Sequence, residues 1–261
     1  MKTHQLLLLV PALLSSQVIA ASLLNDFSSS AFPNESTDSQ WSIGGGTYIN
    51  SAPAGASTAS FSLTGIRGSD FTMSTQFILS STSVSPSSGV STVGFGVFGL
   101  DSTFTGTAAG SAYYLVDFGY ANGMGNPGIG RLRVSAQGDT SNVTSVNGSA
   151  LDTGRPTNYA ILKDVTYTLK LSGTYSGGTL NMVLGLYDAA GTTQIGTSAT
   201  LVDTTPLAGD TFGYRNRSET AGNTEVSFDN FALQSIPEPS VFALALPVAA
   251  LIVGRRKRVW L

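Results

Sequence analysis

The sequence contains no cysteine, and its single histidine, His4, lies within the first twenty residues. Without cysteine the chain can form no disulfide, no thiolate nucleophile and no cysteine-based zinc site. Residues 21–261 also lack the histidine that Ser-His-Asp catalysis, Cys-His catalysis and ordinary zinc sites require. The residue types present therefore exclude several large classes of enzyme.

Charged residues are scarce, at 11% of the 261 residues, and they are unevenly distributed. Eight basic and fifteen acidic residues lie between positions 21 and 236, so the net charge of that span is near −7. No basic patch supports nucleic-acid binding. The 30 glycines and the many serines and threonines suit an extracellular β-protein, whose stability must come from a hydrophobic core.

The first twenty residues have the three parts of a secretion signal. A positively charged start precedes an apolar run, and Val18 and Ala20 are small residues of the kind that signal peptidase accepts. We therefore expect residues 1–20 to be a helical signal peptide of the Sec pathway. Signal peptidase would then cut between Ala20 and Ala21.

The last residues, 236–261, are expected to form a separate tail in three parts. Pro237, Glu238 and Pro239 form a stiff extended stretch, because each proline fixes φ and disfavours helix in the residue before it. The uncharged run 241–253 would span about 20 Å as a helix, against a hydrocarbon core of about 30 Å. A basic block then favours the cytoplasmic side of a membrane: Arg255, Arg256, Lys257 and Arg258.

This order of motif, short apolar helix and basic cluster resembles the PEP-CTERM sorting signal of bacteria. The resemblance implies recognition by an exosortase, a membrane-embedded transpeptidase-like cysteine enzyme that cuts near the motif. Residues 237–239 would be the sorting motif, 241–253 a temporary transmembrane helix and 255–258 the membrane-retention block. The resemblance also implies a protein of the cell envelope that is anchored in the membrane at least transiently, and that then reaches the cell surface or extracellular matrix.

Between the two signals, residues 21–235 alternate apolar and polar side chains in short runs. The runs at 165–171 and 180–186, with a turn at 175–178 between them, predict an antiparallel hairpin with one wet face. Further runs of this kind, and the lack of helical periodicity, predict an all-β domain of about a dozen strands. Such a domain must close as a barrel or stack as two sheets to hide its edges.

The order of these runs resembles the concanavalin A-like, or laminin G-like, jelly-roll. The chain opens on Trp41-Ser42-Ile43, and segments rich in aromatic residues close it at 212–216 and 226–231. The resemblance implies an antiparallel two-sheet β-sandwich in which the final strand returns beside the first. A different jelly-roll or sandwich is the alternative.

Two patterns are candidates for catalysis or phosphate binding. Residues 94–99 fit G-x-G-x-x-G, but no helix follows, so the pattern favours a glycine-rich strand packed under large aromatic residues. Glu219 and Glu225 flank a turn and could face each other as glycosidase carboxylates. The Glu-x-Asp-x-x-Glu string of jelly-roll glucanases is absent, so we favour solvated surface charges.

Two further groups are candidates for binding, and no cofactor is expected. Asp117, Asp139 and Asp188 could hold a structural calcium ion at a loop rim, although turn chemistry explains them equally well. Exposed aromatic rings could stack on sugars. Alternation would turn about half of the aromatic candidates inward, so we expect most of them in the core or rim: Trp41, Tyr48, Tyr113, Tyr114, Tyr120 and Tyr214.

The sequence leaves three functions open. The favoured one is a non-catalytic surface or matrix protein whose jelly-roll associates with exopolysaccharide. The second is a structural, self-assembling envelope protein without a specific ligand, and the third is a carboxylate-based glycoside hydrolase or lyase. The expected partners are signal peptidase, exosortase, the membrane through the C-terminal helix, and polysaccharide.

Overall fold

Two antiparallel β-sheets pack face to face in the computed structural model of the chain. It describes residues 21–52, 55–80, 90–102, 104, 111–121, 128–137, 159–218 and 224–236. The predicted helices at 1–20 and 241–253 lie outside these residues, as do 237–239 and 255–258. Within the described ranges, no helix is long and apolar enough to cross a bilayer.

Fifteen strands follow one another along the described residues. They are β1 (Ser22–Asn25), β2 (Ser36–Thr37), β3 (Trp41–Gly44), β4 (Thr47–Ala52), β5 (Gly55–Ser62), β6 (Asp70–Leu79), β7 (Val90–Gly99), β8 (Tyr113–Ala121), β9 (Gly128–Gln137), β10 (Tyr159–Ile161), β11 (Thr166–Ser176), β12 (Thr179–Tyr187), β13 (Ala199–Asp203), β14 (Thr211–Ser218) and β15 (Thr224–Ile236). Sheet A has the order β13-β12-β11-β6-β15-β4-β3, with β1 also paired to β15. Sheet B has the order β10-β9-β8-β7-β14-β5-β2. The predicted all-β two-sheet sandwich is thereby confirmed.

The last strand organises sheet A. One edge of β15 pairs with β6 along most of its length, and the other edge pairs first with β4 and then with β1. A bulge between Asp229 and Ala232 separates the two halves and turns Phe231 into the core. The final strand thus returns beside the first, as the jelly-roll resemblance implies. It ends at Ile236, one residue past the domain boundary expected at 235.

The predicted hairpin is formed by β11 and β12. Ser176 pairs with Thr179, which leaves a two-residue loop of Gly177 and Gly178. Both glycines have positive φ, at 58° and 83°, as a tight hairpin turn requires. Most inward side chains of this hairpin are buried, and outward ones such as Lys170, Ser172 and Val183 are exposed, so one face of the pair belongs to the core and most of the other to solvent.

Aromatic residues fill the space between the sheets. Tyr214 of β14 stacks on Phe228 of β15, with ring centres 4.1 Å apart, and also stacks on Trp41 at 5.7 Å. Its hydroxyl is 2.7 Å from Thr75 Oγ1 on the opposite sheet. Because the chain has no disulfide, this aromatic core is the main source of the stability of the sandwich.

Candidate functional site

The outer face of sheet B is covered around β8 and Arg215, whereas Arg217, two residues further along β14, is exposed. Tyr113, Leu115 and Asp117 of β8 and Arg215 of β14 are each no more than 6% exposed. The Arg215 Nε donates to the Phe104 carbonyl at 3.1 Å, and its guanidinium lies 5.9 Å from the Tyr113 ring centre. These side chains pack on one another, so this face presents no open binding surface where they lie.

The glycine pattern at 94–99 lies in β7 beneath this cover. A Cβ added at Gly96 would come within 2.4 Å of the Phe104 ring, and one at Gly99 within 2.7 Å. The ring of Phe104 therefore rests directly on the strand. This confirms that the pattern is a glycine-rich strand packed under an aromatic residue and not a phosphate loop.

The outer face of sheet A is open. Lys170, Ser172 and Thr72 point outward from neighbouring strands and are exposed, while Ser74 is partly exposed. A cavity of about 330 Å³ lies on this face. Its outward-facing lining comes from β6, β11 and β12: Thr72, Ser74, Lys170, Ser172, Val183, Gly185 and Tyr187.

Tyr187, at the end of β12, supplies an aromatic ring at this cavity. Its ring lies over Gly185, where an added Cβ would be 2.6 Å from Tyr187 Cε2. The Lys170 Nζ lies 4.9 Å from the ring centre and also donates a hydrogen bond to the Gly191 carbonyl. Gly185 against the ring and the Lys170 ammonium group over it hold Tyr187 along the sheet surface.

Other surface aromatic rings are almost absent from the described side chains. Among the described aromatic side chains, only Tyr175 and Tyr187 are partly exposed, and all others are buried. Tyr175 packs its ring against Phe98, and its hydroxyl oxygen is buried. Tyr187 is therefore the one aromatic side chain in the described part of the chain that is placed to meet a ligand from solvent.

The turn that follows β12 lies next to Tyr187 in the chain and contacts the outer face of sheet A. Asp188 accepts hydrogen bonds from the backbone N–H groups of Thr192 and Thr193, at 2.8 and 3.1 Å, and these bonds lower the pKa of its carboxyl group. Thr168 and Gln76 both donate to the Ala189 carbonyl, at 3.2 and 2.8 Å. The turn is thus fastened to the outer face of sheet A.

The expected calcium ligands do not meet. Asp117 is fully buried in β8 of sheet B, not at a loop rim, and Asp188 lies in the turn after β12 of sheet A. Asp139 lies outside the described residues. In the described ranges, no group of three or more His, Cys, Asp and Glu residues could hold a metal ion. The Asp188 carboxylate accepts hydrogen bonds within its own turn, which is the alternative role that the sequence also allowed.

The described residues among the other sequence candidates do not line this cavity. Glu225 is a partly exposed residue of β15, whereas Glu219 lies outside the described residues, so the carboxylate pair is not tested. The side chain of Tyr120 is likewise outside them. The remaining aromatic candidates are buried, as expected for most of the six: Trp41, Tyr48, Tyr113, Tyr114 and Tyr214.

Tyr187 was not among the predicted platform residues, although a sequence signal for it exists. In the predicted hairpin, the core positions of the second run are 180, 182, 184 and 186. Gly185 and Tyr187 therefore fall on the wet face, next to the outward Lys170 of the first run. A glycine two residues before an outward tyrosine lies on the same face of the strand and leaves space for the tyrosine ring to pack against the sheet.

No family model matches the sequence, and no curated protein matches it either. Solved structures do match the fold. Peanut lectin with a nine-residue peptide matches with 11% identity and a TM-score of 0.51, over 85% of this chain and 100% of the lectin. The carbohydrate recognition domain of Emp47p matches with 12% identity and a TM-score of 0.50, over 82% and 95%.

An enzyme shares the same fold. A bifunctional GH43-CE protein of Bacteroides eggerthii has 10% identity and a TM-score of 0.52, over 82% of this chain and 26% of that one. At such low identity these matches establish the architecture, which is the concanavalin A-like sandwich of the legume lectins. Because this fold occurs both in lectins and as part of a chain described as an enzyme, function must be argued from the site.

Proposed function

We propose that the chain is an exported, non-catalytic protein of the cell surface or extracellular matrix, and that its sandwich associates with exopolysaccharide. The observation that carries the proposal is the Tyr187 ring, held along the open face of sheet A by Gly185 and Lys170. Aromatic faces pack on the apolar faces of sugars. Hydroxyl groups of Ser74 and Ser172 beside the ring suit hydrogen bonds to sugar hydroxyls.

Two further observations support the proposal. The fold is shared with the carbohydrate recognition domain of Emp47p. Residues 21–236 contain neither histidine nor cysteine, and the cavity on sheet A is lined by no carboxylate, whereas glycoside hydrolysis requires two. The site on sheet A therefore favours binding over the hydrolase or lyase alternative.

Replacing Tyr187 with alanine is expected to weaken polysaccharide retention about three- to tenfold, since packing against an aromatic face contributes on the order of 0.5–1.5 kcal/mol. Affinity electrophoresis of the full-length protein through gels with embedded neutral polysaccharides measures the effect. Tyr187→Phe keeps the ring and is the matched control, with retention within about twofold of the parent. Equal retention of the alanine variant would refute a role for this face.

Export and sorting through the two ends of the chain form the other half of the proposal. Sheet A begins at Ser22, next to the proposed cut between Ala20 and Ala21, and the Ala21 carbonyl accepts a hydrogen bond from the Ser235 N–H at 2.8 Å. The last strand ends at Ile236, directly before Pro237. Signal peptidase and exosortase would therefore act on segments that adjoin neighbouring strands.

Mass spectrometry of the protein from an exosortase-containing bacterium tests this half. We expect an N-terminus at Ala21 and loss of the residues beyond the sorting motif. A variant with Pro237, Glu238 and Pro239 all replaced by alanine should keep the intact tail, whereas substitution of the exposed Thr174 should not change processing. An unprocessed parent protein, or a processed triple variant, would contradict the sorting proposal.

A further inference from the structure

The outward residues next to Tyr187 belong to a row that crosses five strands. Lys170 pairs with Gly185 on one side and with Ser74 on the other. Ser74 pairs with Ala232 of β15, which in turn pairs with Leu24 of β1. With neighbouring strands about 4.8 Å apart, the row from Gly185 to Leu24 is about 19 Å long.

Most of the side chains in the middle of this row are small and rise little above the backbone of the sheet. Gly185 has no side chain, Ala232 has only a methyl group, and Ser74 has a single oxygen beyond Cβ. Lys170 is the one long side chain within the row, and its ammonium group donates to the Gly191 carbonyl and lies over the Tyr187 ring. The row is therefore a channel with Tyr187 at one end and Leu24 at the other.

Polar side chains line both sides of the channel. Ser172, Thr72 and Gln234 form one register row beside it, and all three are exposed. On the other side, Asn230 donates to the Gln76 side-chain oxygen at 2.9 Å. Hydroxyl and amide groups on both sides can exchange hydrogen bonds with sugar hydroxyls along the whole channel.

The far end of the channel opens into a larger cavity. Leu24 is 65% exposed, although leucine prefers burial. It and Ala232 line a cavity of about 870 Å³ that extends along residues 29–33. An apolar side chain at each end and a low polar floor between them fit a chain of sugar rings that enters at Tyr187 and continues past Leu24.

The charges around the channel disfavour a polyanion. Lys170 is the only basic residue in the eight strands of sheet A, which also contain Asp70, Asp203, Glu225 and Asp229. Its ammonium group already has two partners, and the span 21–236 carries a net charge near −7 from eight basic and fifteen acidic residues. A chain of carboxylated sugars would meet a repulsive field.

From this geometry we infer that the outer face of sheet A binds an internal segment of an uncharged polysaccharide, which lies across the strands from Tyr187 to Leu24. The inference rests on the proposed sugar association and adds to it the direction, the length and the charge of the ligand. Affinity must then depend on the number of sugar rings, because one ring can reach only one end of the channel.

The test begins with full-length protein in mild detergent, run through gels that contain barley β-glucan, glucomannan or arabinan, and in parallel alginate or polygalacturonate. Retention by at least one neutral polymer and by neither polyanion is expected. Oligosaccharides of one to six rings prepared from the retained polymer then compete. Competition should improve at least tenfold between two and five rings and level off afterwards.

Variants locate the ligand on the row. Ala232→Trp fills the middle of the channel and should weaken polymer retention at least tenfold, while Thr174→Trp, exposed on the same face but off the row, should leave it unchanged. Leu24→Ser, at an exposed position, should weaken the pentasaccharide about threefold and leave the disaccharide unaffected. It provides the test if Ala232→Trp alters the far-UV circular dichroism.

The outcomes separate the two proposals. If no polymer is retained, the proposed sugar association itself fails. If a polymer is retained in a Tyr187-dependent way but a single sugar competes as well as a pentasaccharide, or neither Ala232→Trp nor Leu24→Ser changes binding, sugar association stands and the channel is refuted. Preferential retention by alginate or polygalacturonate would overturn the inferred charge of the ligand.

Discussion

Replacement of Tyr214 by alanine is expected to lower the free energy of unfolding by about 3–5 kcal/mol, a large part of the stability of a domain this size. Tyr214 is fully buried at the point where the two sheets meet. Its ring contacts residues of both sheets, including Phe228 with ring centres 4.1 Å apart and Phe95 at 6.0 Å. The truncation opens a cavity that these rings cannot fill without separating from other partners.

The measurement is urea unfolding of residues 21–236, which form one compact unit with all fifteen described strands. Far-UV circular dichroism is the appropriate signal, because Trp41 stacks on Tyr214 and its fluorescence changes with the substitution itself. An effect below about 2 kcal/mol would show that the aromatic core is not the main source of stability.

Tyr214→Phe separates the ring from its hydroxyl group. The hydroxyl lies 2.7 Å from Thr75 Oγ1, which also donates to the Asp229 carbonyl at 2.9 Å. Thr75 therefore keeps a partner when the tyrosine hydroxyl is removed, and the expected loss is only about 1 kcal/mol. A loss as large as that of Tyr214→Ala would assign the stability to the hydrogen bond and not to the ring.

Strand alternation predicts the fold well where each strand has one dry and one wet face. The hairpin of β11 and β12 follows the predicted pattern down to its glycine turn, because Leu171 and Leu184 face the core from paired positions. The pairing of β1 with β15 was available only through the family resemblance. Residues 22–25 are too short and too mixed in polarity to predict a partner more than 200 positions away.

The site was harder to predict because burial on both faces removes the alternation. Tyr113 and Tyr114 are adjacent in β8 and must face opposite sides, yet both are buried, since the outer face of sheet B is itself covered. Alternation alone would have exposed one of them. On sheet A the outer face is open, so the position of Tyr187 follows from the pattern of the hairpin, but the row from Gly185 to Leu24 needs the strand order, which the sequence does not contain.

Two of the glycines of β7, Gly94 and Gly96, should differ sharply in their tolerance of a methyl group. A Cβ at Gly94 would lie 2.1 Å from the Val116 carbonyl oxygen and 2.6 Å from Asp117 Cα, both in the backbone of the paired strand β8. Because a paired strand cannot move aside, Gly94→Ala should reduce the free energy of unfolding by about 3 kcal/mol or more. At Gly96 the atoms nearest to the same methyl group belong to the Phe104 side chain, at 2.4 Å, and about 1–3 kcal/mol is expected.

A double-mutant cycle with Phe104→Ala distinguishes the two causes, again by urea unfolding of residues 21–236. With the ring removed, Gly96→Ala should become nearly neutral, so the two substitutions should show a coupling of at least about 1 kcal/mol. Gly94→Ala should reduce the free energy of unfolding as much as before and combine additively with Phe104→Ala to within about 0.5 kcal/mol. The reason is that its methyl group would meet backbone atoms of β8 and not the Phe104 ring. Additivity at Gly96 would mean that Phe104 does not rest on the strand. The outer face of sheet B would then be open at this point, and it would compete with sheet A as the place where a ligand binds.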